Sequence, residues 1–193
     1  MPLDAEDEAG FPWQGGAMRL FVAAWPSPEV QAALRSVPRP EREGLRWMPE
    51  ESWRVTLRFL GEVPDPAPVV EALRSELPGR GARPATLDDV TSTLGTVLVV
   101  RVEGLRSLAT LVRLATSRLG DPPRPDPFEG HVTLARGGRR GIDGDLVGQA
   151  VKTGTGTTWG VGEVALVRTV VGGPTAGGPS TTTYETLATI PLD

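Results

Sequence analysis

The 193-residue chain contains no cysteine. That excludes disulfides, thiolate zinc sites and cysteine nucleophiles, and it fits a protein of the cytoplasm. Histidine occurs once, as His131, so a histidine-rich metal site is also excluded. Neither a metal nor a cofactor is expected. Lysine is nearly absent too. Of the 20 basic residues only Lys152 is lysine and the rest are arginine, whose planar fork holds phosphate bidentately. No apolar run approaches the roughly 18 residues of a membrane span. Phe21 to Trp25 is too short for the apolar stretch of a signal peptide, and the segment before it is acidic. The net charge of −4 argues against a protein that coats duplex DNA, while leaving room for a local basic groove. Gly172 to Ser180 is rich in glycine and proline but lacks the Gly-Lys-Ser/Thr ending of a phosphate-binding loop, so it reads as a flexible connection.

What is present suits one domain or two small lobes. Residues 1–17 are acidic, then rich in glycine, with no hydrophobic period, and read as a disordered extension before a domain covering 18–193. Arg19 to Trp25 reads as a buried strand. Ser27-Pro28-Glu29 has the signature of a helix start, and Val30, Ala33, Leu34 and Val37 follow at helical spacing. A strand over 53–59 and a helix over 67–77 come next. Strands over 85–90 and 96–102, a long helix carrying Leu105 to Leu119, and a strand over 130–135 repeat that order. A short helix over 143–151 and closing strands over 161–171 and 184–190 complete the chain. The reading is an α/β (α+β) fold of two pseudo-symmetric lobes around a central cleft, each an antiparallel sheet with helices packed outside. The lobes are placed at about 18–90 plus the last strand, and at 91–170.

One stretch organises this order. In Gly130-His131-Val132-Thr133-Leu134-Ala135-Arg136, strand alternation puts His131 and Thr133 on one face and Val132 and Leu134 on the other. Trp53-Arg54-Val55-Thr56-Leu57-Arg58-Phe59-Leu60-Gly61 repeats the phrase, with Arg54 in the place of the histidine. Two Val-Thr-Leu phrases in similar surroundings indicate a duplicated unit that brings two motif strands together.

These two strands, with Arg-Leu-Phe-Val-Ala near the start and Tyr184-Glu185-Thr186-Leu187 near the end, resemble the two-histidine phosphoesterase superfamily. The branch they resemble is the bacterial RNA 2′,3′-cyclic phosphodiesterases, or 2′-5′ RNA ligases. The resemblance covers about residues 18–192. It implies a metal-independent hydrolase opening 2′,3′-cyclic phosphate ends to 2′-phosphates, with 2′-5′ ligation as the reverse. Its partners would be RNA ends or small cyclic nucleotides, with no duplex DNA and no membrane. A monomer is favoured, although the sequence leaves the oligomeric state open. The resemblance also implies that His131 is the base, that position 54 holds the acid, and that Thr56 and Thr133 bind the non-bridging phosphate oxygens. Arg136 is implied as a phosphate or nucleotide contact, although strict alternation would turn it to the core.

Arginine stays protonated above about pH 12 and cannot be that acid. Arg54 can hold a phosphate and stabilise charge growing on its oxygens. The expectation is therefore impaired or altered catalysis, with His131, Thr133, Thr56 and Arg54 as catalytic residues and Arg54, Thr56, Thr133 and Arg136 binding substrate. Glu129, two residues before His131, can orient the imidazole, supply a proton, or simply lie in solvent. Arg54 and Arg58 can equally be a solvated strand face. Trp47 and Trp53 can stack a base or pack the core. A non-catalytic binder of RNA ends or nucleotides is the alternative function, and a scaffold with a vestigial cleft is the third.

Overall fold

The computed structural model describes residues 16–123, 127–152, 157–172 and 182–193. The expected extension at 1–17 and the loop at 172–180 therefore lie almost wholly outside the described residues. The strands are β1 (Met18–Ala24), β2 (Leu45–Trp47), β3 (Val55–Val63), β4 (Arg83–Leu94), β5 (Val97–Glu103), β6 (His131–Gly137), β7 (Thr158–Val161), β8 (Glu163–Val171) and β9 (Thr182–Pro191). Three helices interrupt them: α1 (Pro28–Arg35), α2 (Ala67–Glu76) and α3 (Arg106–Ala115). None is long and apolar enough to cross a membrane.

The strands form one antiparallel sheet in the order β7-β4-β5-β6-β3-β1-β8-β9, with β2 beside β6. This is an α+β fold with a strongly curled sheet, and two lobes are consistent with it. The pairing divides the strands differently from the expected lobe limits. β4 joins β5 and β7, and β8 joins β1 and β9. The halves β7-β4-β5-β6 and β3-β1-β8-β9 meet at a single residue pair, Val55 with Val132.

The helices cover one face of the sheet. Val30 and Leu34 of α1, Val69 and Leu73 of α2, and Leu108 and Val112 of α3 are buried with strand residues Leu20, Val22, Val100, Val132 and Leu166 in one core. Ser27 caps α1, its Oγ accepting from Val30 N–H at 3.4 Å, with Pro28 at the first helical position. The helix α3 stops at Ala115, short of the expected Leu119. Thr116 Oγ bonds back to Val112 O at 2.6 Å, and the chain leaves the helical path there. The expected helix over 143–151 is a single 3₁₀ turn, Gly144–Leu146. The rest of that segment pairs with β4 through Val151 N–H to Asp89 O at 2.7 Å and a bridge between Val90 and Ala150.

Two irregularities in β3 change which side chains face the core. Ala23 pairs with Thr56 and Val22 with Arg58, so Leu57 is an extra residue. Leu60 is another, between the Phe21–Phe59 and Leu20–Gly61 pairs. The first shift turns Arg58 inward and Phe59 outward. Arg58 is 6% exposed and Phe59 57%. A solvated strand face at Arg58 is therefore ruled out. Its guanidinium donates to Arg113 O, Leu119 O and Asp121 O, each at 3.1 Å, and to Thr116 Oγ. It thereby binds the unpaired carbonyls at the end of α3 and the turn beyond. Replacing Arg58 by Met is expected to lower the unfolding free energy by about 2–4 kcal/mol, because several buried acceptors lose a charged donor at once. A urea titration would show this as a lower midpoint at unchanged slope.

Candidate functional site

The motif strands touch where their first valines pair. Val55 and Val132 are fully buried and face the core. In an antiparallel pair, directly opposed residues share a face, and the next residues along take the other one. Thr56 thus stands opposite His131, and Arg54 opposite Thr133, all four away from the helix-packed core. The register gives the two duplicated phrases a local two-fold relation about the valine pair.

On the Thr56–His131 side the strands part. Between them opens a groove of about 1130 Å³, lined by Thr56, Phe59, Phe128 and His131, with Arg106 and Arg113 of α3 on its wall. Neither Arg106 nor Arg113 is in an ion pair among the described residues, whereas Arg19 at the rim lies 3.5 Å from Glu62.

The imidazole is held by the backbone. His131 Nδ1 lies 2.8 Å from Glu129 O. A carbonyl only accepts, so Nδ1 carries the proton and Nε2 of the neutral ring keeps its lone pair. Gly130 permits the close approach of this segment to β5, since a Cβ there would lie 2.3 Å from Val102 O. Glu129 orients the ring through its carbonyl. Its carboxylate points elsewhere, to Arg101 at 3.4 Å. Arg101 is paired with His131 across β5 and β6, which puts a second cation beside the imidazole. Neither Thr56 nor Thr133 makes a side-chain hydrogen bond among the described residues, so both hydroxyls are available to a ligand.

Arg54 is not a solvated strand residue. Its guanidinium carbon lies 4.4 Å from the Phe21 ring and 3.7 Å from the Tyr184 ring, over the strands on the far side of β3 from β6. Nη1 donates to Ser52 O at 2.6 Å. Burial lowers its pKa, contact with Tyr184 works against that, and the nearby Arg136 cation adds to the lowering. The group remains a cation at neutral pH.

Arg136 reaches the site's face through a bulge. Val99 pairs with Thr133 but Leu98 with Ala135, so Leu134 is an extra residue and the alternation resets. Arg136 then pairs with Val97 on one side and Arg46 on the other, on the same face as Thr133. The register therefore brings all the expected site residues to one face. His131 and Thr56 line the groove, while Arg54 lies on the other flank. Trp53 is 2% exposed and offers no stacking surface, while Trp47 is half-buried against the core with its Nε1–H donating to Pro40 O at 3.0 Å. Sequence reasoning missed Phe59, Arg101, Arg106, Arg113 and Tyr184. The bulges hid Phe59. Arg101, one of several arginines in the chain, carries no signal of its own. Among the described residues no three His, Cys, Asp or Glu side chains converge where a metal ion could sit.

No protein-family model matches the sequence, and no curated protein does. Solved structures do. TT0787 of Thermus thermophilus is 28% identical with a TM-score of 0.71, the match covering 91% of this chain and 98% of that one. Escherichia coli LigT in its apo form is 28% identical with a TM-score of 0.65, covering 92% and 98%. A protein described as a phosphoesterase is 28% identical with a TM-score of 0.65, covering 91% and 98%. LigT has also been solved with phosphate, 3′-AMP, NADP+ and ATP. These neighbours are two-histidine phosphoesterases, LigT being a 2′-5′ RNA ligase, and this chain has the LigT-like fold.

Proposed function

We propose that the protein is an RNA 2′,3′-cyclic phosphodiesterase with altered catalysis. The observation that carries this reading is the imidazole. His131 Nδ1–H is tied to the Glu129 carbonyl, which leaves Nε2 as a base on a groove shared with Thr56. In this reading Nε2 takes a proton from water as the water attacks phosphorus. The bond from phosphorus to O3′ breaks and a 2′-phosphate remains. Thr56 and Thr133 donate to the non-bridging oxygens. Arg54 and Arg136 stabilise the negative charge that grows on them. Run backwards, the same steps close a 2′-phosphate onto its own 3′-hydroxyl and expel water; with a 5′-hydroxyl attacking in place of water, breaking the bond to O3′ leaves a 2′-5′ linkage. The groove, at about 1130 Å³, has room for a nucleotide at an RNA end. The nucleotides and phosphate bound by LigT point to the same ligand class.

A second reading rests on Arg54. A fixed cation stands where the resemblance implies an acid, and that suits a phosphate clamp that binds RNA ends without turning them over. Steady-state hydrolysis of a 2′,3′-cyclic nucleotide separates the two. The hydrolase reading expects His131→Ala to lower kcat by about 10²–10⁴-fold, the usual worth of a general base. Full activity in that variant would refute it. Arg54→His is expected to raise kcat about 10-fold or more, because it supplies a titratable donor, and to weaken the binding of phosphate esters. Tight, salt-sensitive binding by the wild type without turnover would establish the clamp instead.

A further inference from the structure

The hydrolysis leaves one proton to be supplied. In an in-line displacement the attacking and departing oxygens lie on opposite sides of phosphorus. His131, which takes the water's proton, belongs to β6 on one flank of β3. The departing ribose oxygen then faces the other flank, where Arg54 lies over β1 toward β9. Arg54 has no proton to give at neutral pH, and a threonine hydroxyl such as that of Thr133 is too weak an acid. Tyr184 is the only tyrosine in the chain. Its ring packs against the Arg54 guanidinium at 3.7 Å and edge-on to Phe21 at 5.8 Å, and it is half-buried.

A phenol suits this task. With a usual pKa near 10 it holds its proton at neutral pH, yet it yields that proton to an alkoxide, a far stronger base than phenolate. The fixed charge of Arg54 stabilises the phenolate left behind. With a guanidinium at position 54, the donor stands one side chain further out.

We propose that Tyr184 is the general acid of this site and that Arg54 is its electrostatic partner; the proposal rests on the hydrolase reading. As the bond to O3′ breaks, its electron pair goes to O3′, which takes the Tyr184 hydroxyl proton. The water's proton is then on His131 Nε2 and its oxygen on phosphorus. Proton exchange with solvent returns both side chains to their starting states. The sum is cyclic phosphate plus water giving a 2′-phosphate and a free 3′-hydroxyl.

Tyr184→Phe keeps the ring over Arg54 and removes only the hydroxyl, and an unchanged melting temperature checks that the fold survives. Two substrates are compared: a 2′,3′-cyclic nucleotide, and a nucleoside p-nitrophenyl phosphodiester whose leaving group departs without a proton. The expected result is a kcat loss of about 100-fold on the cyclic nucleotide and less than about 3-fold on the aryl ester. An intact rate on the cyclic nucleotide, or equal losses on both, overturns the assignment. If the wild type does not cleave the aryl ester, the Arg54→His background decides. There a new imidazole makes the phenol redundant, so a persisting 100-fold penalty overturns it. His131→Ala is expected to lose both substrates in every background. If the wild type shows no His131-dependent turnover of the cyclic nucleotide, the hydrolase reading fails and the role of Tyr184 fails with it. If that turnover is present and indifferent to Tyr184→Phe, the reading stands and only this assignment falls.

Discussion

One backbone pairing sets the geometry of everything that follows. Val55 meets Val132, and at no other residue do β3 and β6 pair. Both valines are fully buried, so the residues flanking them are committed to the opposite face by the pleat alone. A slip of β6 by one residue would bury His131 and expose Val132. The hydrophobic pattern forbids it, because the core is continuous across the junction. The placement of His131 and Thr56 thus derives from apolar packing on the opposite side of the sheet.

The same junction makes the groove. β6 exchanges partners along its length, with β3 at Val132 and β2 from Ala135 onward. Where β3 and β6 diverge, α3 fills the space below, and the side chains at the parting line the opening. Arg58 helps to fix this arrangement from beneath. It binds the end of α3 and the turn at Leu119 and Asp121 to the strand that also carries Thr56. Two close approaches reinforce it. Gly120 lies against Leu60 O, where a Cβ would come within 2.2 Å, and Asp121 N–H donates to that same oxygen at 2.7 Å.

Much of this was legible in the sequence. The duplicated phrase, the shared face of His131 and Thr133, the strand and helix order and the N-cap of α1 all follow from period and capping chemistry. What escaped detection has a common cause. Bulges at Leu57, Leu60 and Leu134 each insert one residue, and a bulge leaves no mark on a two-residue period. Hence strict alternation turned Arg136 inward, although it faces the site, and treated Arg58 as a candidate for solvent, although it is buried. The strand neighbours were hidden for a different reason. Which strands pair is a matter of long-range contacts, and β4 and β8 lie next to partners that chain order does not reveal. The position of Tyr184 against Arg54 is likewise a product of long-range pairing, since β9 is separated from β1 only by β8 and the Tyr184 ring meets that of Phe21 at 5.8 Å.

The tether on the imidazole has a consequence for how such a protein can change. Its acceptor is the carbonyl of Glu129, a group common to every residue, so exchanging that side chain leaves the tether intact. Only the glycine that follows is constrained, by the neighbouring strand at Val102. Orientation of the imidazole is therefore insulated from side-chain drift, whereas Tyr184 on the opposite flank is placed by its contacts with the Arg54 and Phe21 side chains. A side-chain exchange in this architecture is therefore felt more on that flank than at the imidazole.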